Sequence, residues 1–291
     1  IALSDERLGG VNFTGSTAVF NGMLSAIGAR AGRYRNYPRV VGETGGKNFV
    51  VAHSSADVGA LATAILRGGF EYQGQKCSAA SRVFIPESIW PAVRERLCDD
   101  VRSIRVGDVA DFKTFMGAVI DEKAWNRHVA VIEEVRHAAN STILVGGTAD
   151  MSRGYFVDPT IVLTSDLESR VMQEEIFGPV VAIATYRDSA YEETLRAIDT
   201  MSSYGLTGSI FSTDRAAIES GATILRNAAG NLYINDKPTG AVVGQQPFGG
   251  GRASGTNDKA GSVWNLVRWV SPRTVKETFN PATNYGYPSM L

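Results

Sequence analysis

Cysteine is scarce: Cys77 and Cys98 are the only two in 291 residues. That excludes a disulfide framework and fits a reducing compartment. The three histidines share no metal-ligand spacing with cysteine or carboxylate, so no metal site is expected. No apolar run approaches the ~18 residues needed to span a bilayer. Neither sign of charge dominates, with 29 Lys and Arg against 30 Asp and Glu. A net charge of −1 gives no electrostatic reason for a nucleic acid or anionic membrane partner. Internal repeats and low-complexity tracts are also missing. What the chain does contain is 44% hydrophobic residues, 20% charged residues and 31 glycines, many of them grouped at turns. This composition fits a globular protein with a full core and ligand-binding loops, as one large or two ordinary domains. The first residue is Ile1, not Met, and no signal-like segment precedes the first strand pattern, so the chain reads as beginning inside a longer protein.

Gly10 to Thr17 reads as a short strand ending in a Gly-Ser turn. Val19, Phe20, Met23, Leu24 and Ile27 then recur at helical spacing, with Ser16 or Thr17 as N-cap. A strand, a glycine turn and a helix N-terminus favour an anion, although an ordinary connection reads the same way. Arg39–Glu43 is the next strand. It leaves Glu43 at its end beside Gly45-Gly46, either as a solvated turn carboxylate or as a general base. A helix beginning at Asp57 delivers Gly74 and Cys77. A small buried cysteine and a reactive thiol beside Lys76 are both open readings there. Ser88–Ile104 is amphipathic, with Cys98 as packing. Lys123–Ala139 is a further helix whose His128 and His137 are expected to be solvated. Strands at Asn48–Ala52, Arg82–Ile85, Thr142–Val145, Val181–Thr185, Leu206–Phe211 and Asn231–Asn235 alternate with helices at Tyr191–Ser202 and Asp214–Asn227. The alternation predicts an α/β fold: a largely parallel, twisted sheet with helices on both faces. Tyr155–Thr164 alternates around Pro159, as at an edge or bend. Pro238–Gly251 is a long, glycine-rich, uncharged loop of the kind that holds ligands. Arg273–Phe279 is a last alternating strand with no partner nearby in sequence.

Phe13-Thr-Gly-Ser16, Glu43-Thr-Gly-Gly-Lys47, Gly74-Gln-Lys-Cys77, Glu174-Glu-Ile-Phe-Gly-Pro179 and Pro247-Phe-Gly-Gly250 stand in the order seen in NAD(P)-dependent aldehyde dehydrogenases. Taken together they resemble that family over essentially the whole chain. Phe70–Ala79, Asn227–Asn231, Tyr233–Gly240 and Gly244–Lys259 resemble its Δ1-pyrroline-5-carboxylate dehydrogenase branch. Thr44 stands where the wider family usually has Leu, and Gly251 where the branch often has Ala.

The resemblance implies an aldehyde-dehydrogenase-like fold with a partial Rossmann-type nucleotide domain. It implies Cys77 as the nucleophile, passing through a thiohemiacetal and a thioester, and Glu43 as the base that activates water, with Gly45-Gly46 as a hinge. NAD is the implied cofactor, with its pyrophosphate near Thr14, Gly15 and Ser16, its nicotinamide ribose on Glu175, and Phe177 packing nearby. Glutamate γ-semialdehyde is the implied substrate. Its carboxylate would be held by Ser78 and the backbone N–H groups of Gly240 and Ala241, with Lys76 adding positive potential and Phe248 walling the aliphatic chain.

The same resemblance divides the chain into 1–44 (remainder of the nucleotide domain), 45–253 (catalytic domain), 254–270 (return segment to the nucleotide side) and 271–291 (oligomerisation strand and tail). It implies at least a homodimer, in the cytoplasm if bacterial or the mitochondrial matrix if eukaryotic. Roughly the amino-terminal half of the family's polypeptide precedes Phe13, including the oxyanion-hole asparagine and the lysine near the adenine ribose. The alternatives are a catalytically inactive piece of such an enzyme, or a dehydrogenase for another acidic semialdehyde.

Overall fold

The computed structural model describes residues 1–290. Strand β1 (Gly10–Thr14), helix α1 (Thr17–Gly28) and strand β2 (Arg39–Glu43) form a small parallel unit in which Thr14 lies opposite Glu43. The main sheet follows. Its elements in order are β3 (Asn48–Ala52), α2 (Val58–Phe70), β4 (Ala80–Pro86), α3 (Trp90–Arg102), α4 (Glu122–His137) and β5 (Ser141–Val145). A hairpin of two-residue strands, β6 (Ala149–Asp150) with β7 (Phe156–Val157), leads into β8 (Thr160–Thr164), α5 (Arg170–Gln173) and β9 (Val180–Tyr186). The chain continues through α6 (Tyr191–Thr200), β10 (Tyr204–Gly205), β11 (Thr207–Phe211), α7 (Arg215–Ile224), β12 (Asn231–Ile234), β13 (Gly251–Arg252) and α8 (Val263–Val267).

Seven strands form one sheet in the order β12-β11-β3-β4-β9-β8-β5, with every neighbour parallel except the edge pair β5–β8. Central strand β3 is buried at all five positions, as expected where helices cover both faces. Its side chains alternate between two cores. Phe49 and Val51 join Phe84, Ala182 and Ile210 on one face. Val50 and Ala52 join Val83, Val181 and Phe211 on the other. Side-chain caps start the helices where the sequence offers them: Ser16 accepts from Val19 N–H, Asp57 from Ala60 N–H and Asp121 from Ala124 N–H.

Beyond β13 the chain turns back onto β2. Thr44 N–H donates to the Ser254 carbonyl and Thr256 N–H to the Gly42 carbonyl, each at 2.9 Å. Arg268 pairs with Asp258 at 2.9 Å and reaches the Val40 carbonyl. The carboxyl ends of β1 and β2 therefore meet the amino ends of β3 and β4.

One expectation needs correction. His128 is not solvated: it is fully buried in α4, while His137 is exposed. Arg273–Phe279 runs exposed and pairs with nothing among the described residues, as an edge kept for a partner subunit would. Leu291, the last residue of the expected tail segment, lies outside the described residues.

Candidate active site

Cys77 stands in the short connection between α2 and β4. Tyr72, Gln73 and Gly74 take positive φ in succession, reversing the chain before the cysteine. For Tyr and Gln that backbone is strained, and such strain gathers where a side chain must be aimed. Asn48 then fixes the connection. Its amide donates to the carbonyls of Cys77 at 2.7 Å and Ala79 at 2.9 Å, and its Oδ1 accepts Thr207 N–H at 3.1 Å. One buried amide thus joins β3, the nucleophile loop and β11. Asn48→Ala would leave three buried backbone groups unpaired, an expected loss of about 3 kcal/mol, measurable by urea denaturation.

Two cavities share Cys77 as a wall. One, of about 510 Å³, is lined by Lys76, Cys77, Ser78, Gly240, Ala241 and Phe248, together with Thr239. The other, of about 420 Å³, is lined by Thr14, Gly15, Ser16, Glu175 and Phe177, together with Glu43, Cys77 and Arg127. Every site residue singled out in the sequence lines one of the two, and Cys77 lines both.

Electrostatics in this junction differ from the expected electropositive setting. Burial pushes the Cys77 thiol up to about 11, and the Glu175 and Glu43 carboxylates push in the same direction. The N–H groups of Cys77 and Ser78 pull it down by less. Lys76 does not offset this, because its ammonium is paired with Glu71 at 3.0 Å. Glu43 is also raised, to about 7, chiefly by burial and against the pull of Lys259. Its Oε2 has no partner among the described residues, so one oxygen is free to take a proton. A carboxyl poised near neutrality, 34 residues from the thiol in sequence and sharing its cavity, has the properties of a general base. Glu175 accepts Gly46 N–H at 2.8 Å, which holds the segment after Glu43. Lys47, buried behind it, has no hydrogen-bond partner for its ammonium among the described residues and is lowered to about 7 by burial.

The second cavity fits a nucleotide on its own residues. Ser16 caps α1 by accepting Val19 N–H, and the turn Thr14-Gly15-Ser16 ahead of that helix lines the cavity, an arrangement that suits a phosphate. Glu43, Glu175 and Phe177 line it as well. Among the described residues no group of three or more His, Cys, Asp or Glu could hold a metal, and no helix is long and apolar enough to cross a membrane.

Some participants were not singled out in the sequence. Lys259 donates to the carbonyls of Gly230 at 2.6 Å and Gly249 at 3.0 Å beside Glu43. Thr239 Oγ1 lies 2.7 Å from Ser78 Oγ. Arg127 and His128 come from α4. His128 Nε2–H donates to the Phe177 carbonyl at 3.0 Å, and Phe177 holds a left-handed φ of 55°. A Cβ on Gly178 would lie 2.2 Å from His128 Nε2, so only glycine fits above the ring. The legible signal was the Phe-Gly-Pro turn, not the distant histidine beneath it.

Burial holds His128 at about 4, below its usual 6.5. The folded protein therefore resists a proton that the unfolded chain accepts below about 6.5. Stability should be unaffected above that pH and should fall as pH drops towards 4, by on the order of 3 kcal/mol. Glu43 acts oppositely: its raised value adds stability below 4.5 that is lost as pH rises through 7. Comparing wild type with His128→Gln by denaturation across pH 4–7 isolates the histidine contribution.

Residues 2–275 match the aldehyde dehydrogenase family. The mitochondrial Δ1-pyrroline-5-carboxylate dehydrogenase of Dictyostelium discoideum is 54% identical over 290 residues, covering 99% of this chain and 52% of that protein. The human mitochondrial enzyme of that name is 49% identical over 288 residues, covering 99% and 51%. The crystal structure of the Mycobacterium tuberculosis Δ-pyrroline-5-carboxylate dehydrogenase bound with NAD superposes with a TM-score of 0.93 at 51% identity, covering 100% of this chain and 53% of that one. The chain spans about half the length of the curated relatives it matches. A matched family over nearly its full length, with a cysteine and a carboxylate meeting at one cavity, gives the conclusion: the chain belongs to the aldehyde dehydrogenase family.

Proposed function

We propose that this chain carries the catalytic centre of an NAD-dependent dehydrogenase that oxidises glutamate γ-semialdehyde, formed from Δ1-pyrroline-5-carboxylate, to glutamate in proline catabolism. The observation that carries the reading is the position of Cys77 as the common wall of both cavities. A nucleophile so placed touches an aldehyde on one side and a nucleotide on the other.

Cys77 sulfur, as thiolate, bonds to the aldehyde carbon, and the Cys77 backbone N–H faces the resulting oxyanion. NAD, when bound in the second cavity, supplies the two-electron acceptor. Cys77 is then left as a thioester. Glu43 removes a proton from water, the oxygen bonds to the acyl carbon, and the carbon–sulfur bond breaks to release the acid and the thiolate. Thr14, Gly15 and Ser16 would hold the pyrophosphate and Glu175 the nicotinamide ribose, with Phe177 packing nearby. Ser78, Gly240 and Ala241 would hold the substrate carboxylate, and Phe248 the methylenes.

The test is NADH formation from Δ1-pyrroline-5-carboxylate set against an uncharged aldehyde of equal length. The carboxylate-bearing substrate should lead by at least about a hundredfold in kcat/KM. Equal rates would remove the substrate assignment, and a shorter acidic semialdehyde leading would favour that class instead.

A second reading follows from length. Because the relatives are about twice as long, residues 1–291 alone are proposed to bind NAD weakly and to turn over slowly or not at all. The exposed segment Arg273–Phe279 is proposed to pair with a neighbouring subunit in at least a dimer, and a monomer in solution would contradict this. The compartment would be the mitochondrial matrix in a eukaryote, as the relatives' names have it, or the cytoplasm in a bacterium.

A further inference from the structure

The larger cavity has one charged lining residue among those described, Lys76, and Glu71 takes up that charge. Glu71 has a second partner. The same Oε2 accepts Lys76 Nζ at 3.0 Å and Lys237 Nζ at 3.3 Å. One carboxylate against two ammoniums leaves one positive charge unbalanced. The surplus lies behind the cavity wall. Lys237 Nζ also donates to the Thr239 carbonyl at 3.3 Å. Gly240 takes φ +85°, and a Cβ there would come within 2.8 Å of that ammonium. The ammonium therefore sits against the Gly240 backbone, and Gly240 and Ala241 face the cavity. Thr239 is tied in turn to Ser78 by their hydroxyls, 2.7 Å apart. Lys237, Glu71 and Lys76 are 22%, 28% and 30% exposed, so water screens the charge without removing it.

We propose that Lys237, held by Glu71 behind the Gly240 backbone, is the specificity-determining cation that makes this cavity select an aldehyde carrying a carboxylate. Lys237 acts through the field and the loop it supports, as a positioning residue that does not touch substrate. The inference rests on the reading of Cys77 as nucleophile towards such an aldehyde.

The experiment needs no cofactor. N-iodoacetylglycine and N-iodoacetylglycinamide alkylate thiols through the same carbon, and only the first carries a carboxylate. That carboxylate stands as many bonds from the reacting carbon as the carboxylate of glutamate semialdehyde stands from its aldehyde. Modification of Cys77 is followed by mass spectrometry, with buried Cys98 as a reference within the chain. Lys237→Met should lower the ratio of acid to amide rate about threefold, and added salt should shrink the difference. Lys237→Arg should retain the wild-type ratio, and Glu71→Gln should raise it. A ratio unmoved by Lys237→Met overturns the proposal. So does an equal slowing of both reagents, which would make Lys237 a purely structural residue. The catalytic reading fails separately, through absence of NADH formation from glutamate semialdehyde by the wild-type enzyme.

Discussion

Replacing Cys77 with alanine is expected to abolish NAD reduction by the complete enzyme, by at least about a thousandfold. No second nucleophile can stand in for it. Ser78 is buried and its hydroxyl is engaged with Thr239, and Cys98 is buried in α3, away from both cavities. Cys77→Ser should fail nearly as completely, because a serine hydroxyl is far harder to ionise than a thiol in the same buried setting. The thiol itself should respond to its neighbours. With the cavities empty, alkylation by iodoacetamide should climb with pH well past the ordinary cysteine midpoint, towards about 11. Glu43→Gln should move that midpoint down, since it removes one of the carboxylates opposing ionisation. A midpoint unchanged by Glu43→Gln would show that burial and Glu175 set it without Glu43.

Glu43→Gln is expected to divide the reaction. Acylation needs Cys77 and the acceptor, whereas release of the acid needs a base for water. Steady-state turnover should fall about 10²- to 10⁴-fold, while the first turnover survives as a burst of NADH. In wild type, the release step should rise with pH through about 7, because Glu43 acts only when ionised and burial has raised it to that value. Glu43→Gln should remove this limb. Lys259→Met should move it to higher pH, since the nearby ammonium is what pulls Glu43 down. Stopped-flow NADH formation across pH 5.5–9 checks wild type and both variants. A burst lost together with turnover would place Glu43 in the acylation step.

Much of the site was legible because its parts are local. Phe13–Ser16, Glu43–Lys47 and Gly74–Cys77 each carry their own turn chemistry, and their glycine breaks mark loops whatever the tertiary context. The sheet was legible for the same reason: strands and helices of ordinary length alternate, and β3 reads as an apolar run from Phe49 to Ala52. What stayed hidden depends on contacts between residues far apart in the chain. Asn48 opens an apolar strand and gives no sign that its amide will clasp the Cys77 and Thr207 backbones. His128 sits on an amphipathic helix, where a solvated face is the ordinary reading, yet it packs under Gly178. Lys76 looks like an activating neighbour in sequence, but its side chain points to Glu71, and burial, with two carboxylates, raises the thiol instead. Adjacency in sequence fixes only the backbone; the field at the sulfur is set by whichever charged groups the fold brings around it.

The central claim is that one cysteine joins an acid-selective aldehyde cavity to a nucleotide cavity. The most direct test uses the complete Glu43→Gln enzyme, mixed with NAD and Δ1-pyrroline-5-carboxylate and quenched within seconds. The account predicts one equivalent of NADH and one glutamyl thioester per chain, located by peptide mass spectrometry on Cys77 and absent when NAD is omitted. A chain that forms NADH with no adduct on Cys77, or that is acylated equally by an uncharged aldehyde of the same length, would contradict it.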